Sequence, residues 1–260
     1  MSTPFKDALI SHDGSYEISA DWLQGRTAFG GLLAAIGLQE LQALAPPDRV
    51  PLSLNVEFVA PVPVGKLVSD AKLLRSGKYL SQMEAVLSLN SEPAVVLQAV
   101  YGKPRESEFE IQAKAEPLSL PFNEARSFRR LNDSFPPFLQ HFDFRYTECG
   151  FPFSGTGTGD LGGFCKHQNP ARGYPGLVAL LDAWPPTALP VYTRPVAAST
   201  VHWTIHFHCH DINQYDFSST HYVYRARTFA ADSGVATTEA SLSLDGEVFA
   251  SARQLVAIFD

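Results

Sequence analysis

The sequence predicts an α+β chain in which one architecture is written twice: two antiparallel sheets, each wrapped around a long central helix, joined into one continuous sheet. Three observations predict it. Residues 86–92, Val-Leu-Ser-Leu-Asn-Ser-Glu, return as Ser-Leu-Ser-Leu-Asp-Gly-Glu at 241–247. Upstream of each lies a strand-like run ending in Phe, 53–58 and 204–207, and before each of those an apolar helix-like stretch, 31–44 and 175–183. The offset between copies grows from about 145 at the helix to 149 at the Phe and 155 at the hairpin, as insertions between shared elements would make it. A long internal period of this kind constrains the fold more than any single residue.

Each element follows from local signals. Residues 1–28 form a lead-in, with 16–22 alternating as a strand. Phe29-Gly30-Gly31 opens a helix over 31–44 whose apolar residues cover nearly every side as far as Gln39, which marks a buried helix. Pro46-Pro47 stops it, since proline cannot continue a helix. Strands are expected at 52–59, 66–74, 79–90 and 94–102, the last two joined by a turn at 90–93. Residues 103–130 are rich in Lys, Arg, Glu and Pro without periodicity. The chain therefore divides into an N-terminal repeat (1–103), a linker (104–130) and a C-terminal repeat (131–260). In the second copy, strands at 141–148 and 161–167 flank a Gly-rich loop at 155–159. A helix at 174–184 ends at Pro185-Pro186, and strands follow at 199–208, 219–229, 234–244 and 248–259.

Composition excludes several functions. A chain of 260 residues with 45% hydrophobic and 18% charged residues can bury a sizeable core. A net charge of −7 without basic clusters argues against nucleic acid and anionic membranes as partners. No apolar run approaches the ~18–20 residues of a membrane span, and the N-terminus has no apolar signal region, so a cytoplasmic protein with no membrane insertion is expected. Cys149, Cys165 and Cys209 are widely spaced, which fits neither a zinc site nor a redox pair and suits a reducing compartment. His202, His206, His208 and His210 share a strand face by period two, and Asp211 follows. Catalytic zinc sites draw ligands from several elements and no partner stands elsewhere, so solvated or interface histidines are expected, with no metal. The Gly-rich run at 155–163 lacks the strand-to-helix context of a nucleotide loop, and no Gly-x-Ser-x-Gly elbow occurs.

A set of short motifs then stands in order: Phe29-Gly-Gly-Leu32, Leu52-Ser-Leu-Asn-Val-Glu-Phe-Val-Ala-Pro61, Leu180-Leu-Asp-Ala-Trp-Pro-Pro186, Thr200-Val-His-Trp-Thr-Ile-His-Phe207 and Asp245-Gly-Glu-Val-Phe-Ala-Ser-Ala-Arg-Gln254. With these the chain resembles, over nearly its whole length, the acyl-CoA thioesterase II family, the TesB-like double hot-dog enzymes. The resemblance implies an acyl-CoA substrate, hydrolysis without a cofactor, and a water held by three residues that match Asp182, Thr200 and Gln254. Where the family pattern carries an acidic residue two positions after the Thr, this chain has His202, a departure that bears on substrate preference or local charge. Backbone N–H groups at a helix start suit a developing oxyanion, which points to Gly30 and Gly31. Aromatic residues within 135–144 would line or block an acyl tunnel, and a homo-oligomer is compatible with the sheet architecture. Two rival readings are a non-catalytic acyl-CoA or lipid binder and a hot-dog enoyl-CoA hydratase. The second lacks the His that should follow Asp182.

Overall fold

A computed structural model describes residues 2–128, 135–148, 150–209 and 211–259. Cys149, His210 and the far end of the expected linker lie outside the described residues. The chain runs α1 (Phe5–Ala8), β1 (Ser15–Ile18), β2 (Leu23–Gln24), β3 (Thr27–Ala28), α2 (Gly30–Leu44), β4 (Val50–Phe58), β5 (Gly65–Ser76), β6 (Leu80–Leu89) and β7 (Glu92–Gly102). It continues with β8 (Arg126–Phe128), β9 (Phe142–Glu148), β10 (Asp160–His167), α3 (Gly173–Leu181), β11 (Ala197–Phe207), β12 (Tyr222–Asp232), β13 (Val235–Leu244) and β14 (Glu247–Phe259).

Among the described residues twelve strands form one antiparallel sheet in the order β1-β5-β6-β7-β4-β11-β14-β13-β12-β10-β9-β8. The repeat is visible in its register. Hairpins β6–β7 and β13–β14 both turn through two residues of positive φ, Asn90-Ser91 and Asp245-Gly246, the backbone that matches the twist of paired strands. Three irregularities recur at the sequence offsets: Pro51/Ser53 with Thr200/His202, Leu73/Arg75 with Thr228/Ala230, and Leu87/Ser88 with Leu242/Ser243. The two halves meet where β4 pairs with β11. There Asn55 lies opposite Thr204, and these two are separated by the same 149 positions as Phe58 and Phe207. Each strand thus pairs with its own counterpart, so a pseudo-twofold axis passes through this seam. The Thr204 hydroxyl donates to Asn55 Oδ1 at 2.9 Å across it.

Both helices lie on the inner face and pack against each other. From Leu32 through Leu38, α2 is buried all round, and Gly37 lets it approach the sheet: a Cβ there would stand 2.5 Å from the Leu97 methyls. One large core spans both halves.

The structure corrects several boundaries. Only the first copy has a long helix. α2 has 15 residues, whereas α3 has 9 and stops at Leu181 rather than at 184, with Asp182 as its C-cap. The expected linker contains a strand, because β8 pairs with β9 at the sheet edge. The first strand ends at Ile18, and Ala20–Trp22 turn as a 3₁₀ helix. β11 ends at Phe207, so period two relates only His202 and His206 among the four histidines. Among the described residues no three His, Cys, Asp or Glu side chains gather as metal ligands, and no helix is long and apolar enough to cross a membrane.

Candidate active site

Asp182 stands where the ends of two helices meet. It caps the C-terminus of α3, with its N–H donating back into the last turn, and its carboxylate faces the first turn of α2. The C-terminal end of α3 disfavours a negative charge and the N-terminal end of α2 favours it. The second influence shows at Gly31, whose backbone amide lowers the carboxyl pKa. The approach requires glycine: a Cβ on Gly30 would lie 2.9 Å from Asp182 Oδ2, and one on Gly31 would lie 3.0 Å from Asp182 Cβ and 2.5 Å from the Phe29 ring.

Gln254 supplies the other partner. On β14 the even-numbered side chains from Ala250 to Ile258 point inward, and Gln254 Nε2 donates to Asp182 Oδ1 at 2.7 Å. Asp182 keeps a little accessible surface, yet protein surrounds its carboxyl group. Burial raises its pKa from the ordinary carboxylate value to about 7, against the opposing pull of the Gln254 bond and the Gly31 amide. The result is a carboxylate that exchanges a proton near neutrality, as a general base requires.

Thr200 reaches the same face through an irregularity. Strict alternation from Trp203 would put it outside with His202. Val201 is an extra residue between the pairs Thr200–Val256 and His202–Leu255, and such a bulge switches the face of what precedes it. Thr200 therefore lies opposite inward-facing Val256, diagonal to Gln254. Among the described residues its hydroxyl makes no hydrogen bond. His202 points to the other side of the sheet, with Nδ1 2.7 Å from Glu57 Oε1 and Nε2 3.0 Å from Thr204 Oγ1. The departure from the family pattern at this position thus alters charge on the outer face of the seam. His208, just past the end of β11, bonds Ser251 on β14 at 2.8 Å.

The start of α2 is held by aromatic packing that joins both halves. The Phe29 ring stacks on Phe138 at 4.3 Å, and Trp22 stacks on His141 at 3.8 Å. Phe29 N–H donates to the Trp22 carbonyl at 2.8 Å. The aromatic segment singled out in the sequence therefore braces the helix start. Two inward-facing polar residues carried no sequence signal. Tyr224 stacks on Trp184 at 5.1 Å, and burial and the Asp182 charge raise its pKa. Thr238 lies directly opposite Gln254 on β13. Inside a β-branched run such a Thr reads as strand propensity.

The repeat supplies an internal comparison. At the offsets of helix, strand and hairpin, the counterparts of Asp182, Thr200 and Gln254 are Gly37, Pro51 and Ala99. None has a polar side chain, so this constellation occurs once per chain.

Models of the acyl-CoA thioesterase N-terminal domain and the acyl-CoA thioesterase C-terminal domain match residues 18–102 and 114–258. Among solved structures, the chain is similar to a hot dog fold protein of unknown function from Alicyclobacillus acidocaldarius. The TM-score is 0.86 at 25% identity, over 98% of each chain. It is also similar to the acyl-CoA thioesterase II TesB2 from Mycobacterium marinum, with a TM-score of 0.75 at 13% identity over 98% of each chain. A tesB protein from Mycobacterium avium subs paratuberculosis gives 0.76 at 13% identity, again over 98% of each. No protein of curated function matches the sequence.

Proposed function

Because the chain belongs to the acyl-CoA thioesterase family, we propose that this thioester hydrolase cleaves a fatty acyl-CoA by direct attack of water, with Asp182 as general base and Gln254 and Thr200 orienting the water. Asp182 takes one water proton while the oxygen bonds to the thioester carbonyl carbon, which becomes a tetrahedral oxyanion. When the oxyanion collapses, the C–S bond breaks, the proton passes from Asp182 to the CoA thiolate, and the free acid leaves. No covalent acyl-enzyme is needed. Gln254 donates to Asp182 through its amide nitrogen and turns its carbonyl oxygen away, free to accept a hydrogen bond from the water. The Gly31 amide favours the ionised form of the base. Gly30 N–H, which makes no hydrogen bond among the described residues, suits the oxyanion.

The observation that carries this reading is the contact of Gln254 with Asp182 at 2.7 Å, around a carboxyl group whose pKa burial has raised to about 7. A surface carboxylate near 4 would be a weak base for water at neutral pH. A hydratase would need a second acid–base group beside Asp182, and no histidine follows it in the α3–β11 connection. The test is a panel of acyl-CoA thioesters from acetyl to palmitoyl, assayed for free thiol with the parent and Asp182→Ala. Hydrolysis by the parent and a loss of more than ~100-fold in the variant, with acyl-CoA still bound, is the expected result. Tight binding by the parent without turnover would instead identify a binding protein.

A further inference from the structure

We propose that Thr238 is a further catalytic residue, whose hydroxyl holds the attacking water from the β13 side. The inference rests on the reading of Asp182 as the base. Thr238 and Gln254 are cross-strand partners and both point inward, so their Cβ atoms stand about 5 Å apart. Thr238 is 4% exposed, and among the described residues its hydroxyl makes no hydrogen bond. No direct bond joins it to Gln254, and one bridging water fits such a gap between a hydroxyl and an amide oxygen. α3, the helix capped by Asp182, also packs against β13, as it does against β10.

The neighbour of Gln254 on the opposite side leaves Thr238 as the flanking hydroxyl in this row. Trp203 lies across from Gln254 on β11, fully buried, and offers only an indole N–H, which has no acceptor. Thr200 stands one step away on the diagonal, opposite Val256. The internal repeat points the same way. At the hairpin offset of 155 the counterpart of Thr238 is Met83, inward-facing and fully buried. Thr238 thus follows the pattern of Asp182, Thr200 and Gln254, polar in the C-terminal half and without a polar group in the N-terminal half. The arrangement gives the water an acceptor in Gln254, a base in Asp182, and a hydroxyl in Thr238 that both donates and accepts.

Thr238→Val, which keeps shape and branching, Thr238→Ser and Asp182→Asn are compared with the parent in steady-state thioester hydrolysis across pH. Thr238→Val should lose about 10- to 100-fold in kcat, the scale of one hydrogen bond to a reacting group. KM should change little and the pH midpoint should stay with Asp182. Thr238→Ser, which retains the hydroxyl, should recover most of the loss. Should the valine variant fold poorly, Thr238→Ala serves with the same readout. A valine or alanine variant within about threefold of the parent, or a serine variant as impaired as valine, overturns the proposal. An inactive Asp182→Asn beside an active Thr238→Val sinks the threonine alone; an active Asp182→Asn sinks the base and the threonine together.

Discussion

Asp182 is held in an environment that resists its charge, and that tension sets both its chemistry and its cost. Its pKa, about 7 in the folded chain, exceeds the ordinary carboxylate value of 3.8. The neutral form therefore favours the folded state. This stabilisation is complete below about pH 4 and is lost as pH rises through 7. Asp182→Asn keeps an acceptor for Gln254 and abolishes the buried charge. It should melt a few degrees above the parent at pH 8, at ~2–4 °C per kcal/mol for a chain of this size, and close to it at pH 4. Thermal melts at the two pH values check this. The residue was legible in the sequence only through resemblance, because a lone Asp near a helix end has many bland explanations. The burial of its carboxyl group and its bond to a residue 72 positions away exist only in the fold.

Elements were legible where periodicity is long and obscured where a single extra residue changes a face. The buried α2, the hairpins and the repeated order follow from patterns of several residues each. The shortness of α3 does not, because its apolar run continues past the point where the chain turns at Asp182. Nor does the bulge at Val201: plain alternation puts Thr200 beside His202 on the outer face, and the register shift brings it inside. The glycines at the start of α2 admit a sharper test. Gly31→Ala would drive a methyl group to 2.5 Å from the Phe29 ring and 3.0 Å from Asp182 Cβ, displacing the carboxylate from its place against the first turn of α2. We expect kcat to fall at least tenfold, a magnitude that small misplacements of catalytic groups produce. Single-turnover assays would separate this from weaker substrate binding.

At the scale of the molecule, the chain is a pseudo-dimer, and the site proposed above occupies one of its two half-sites. Its seam, its hairpins and its bulges repeat, while the polar constellation does not: Gly37, Pro51 and Ala99 occupy the matching positions. In the proposed site the N-terminal half contributes the first turn of α2, and the C-terminal half contributes Asp182 and Gln254. Titration with a non-hydrolysable thioether analogue of acyl-CoA should saturate at about one molecule per chain, and two would contradict the asymmetry. The seam itself rests on Trp203, fully buried opposite Val56 and Gln254. Trp203→Ala should cost about 3–5 kcal/mol, measured by denaturant unfolding. The repeat made this architecture readable from sequence, but a repeat describes what two halves share, and the site lies in what distinguishes them.

The central claim is that a buried carboxylate, Asp182, removes the proton from water. The most direct measurement is kcat/KM for thioester hydrolysis from pH 5 to 9, with the parent and Asp182→Asn. The account predicts a rise with pH to a plateau in the parent, with a midpoint near 7 where the base ionises, and no such rise in the variant. A flat parent profile, or a variant that keeps both the rate and the midpoint, would contradict it.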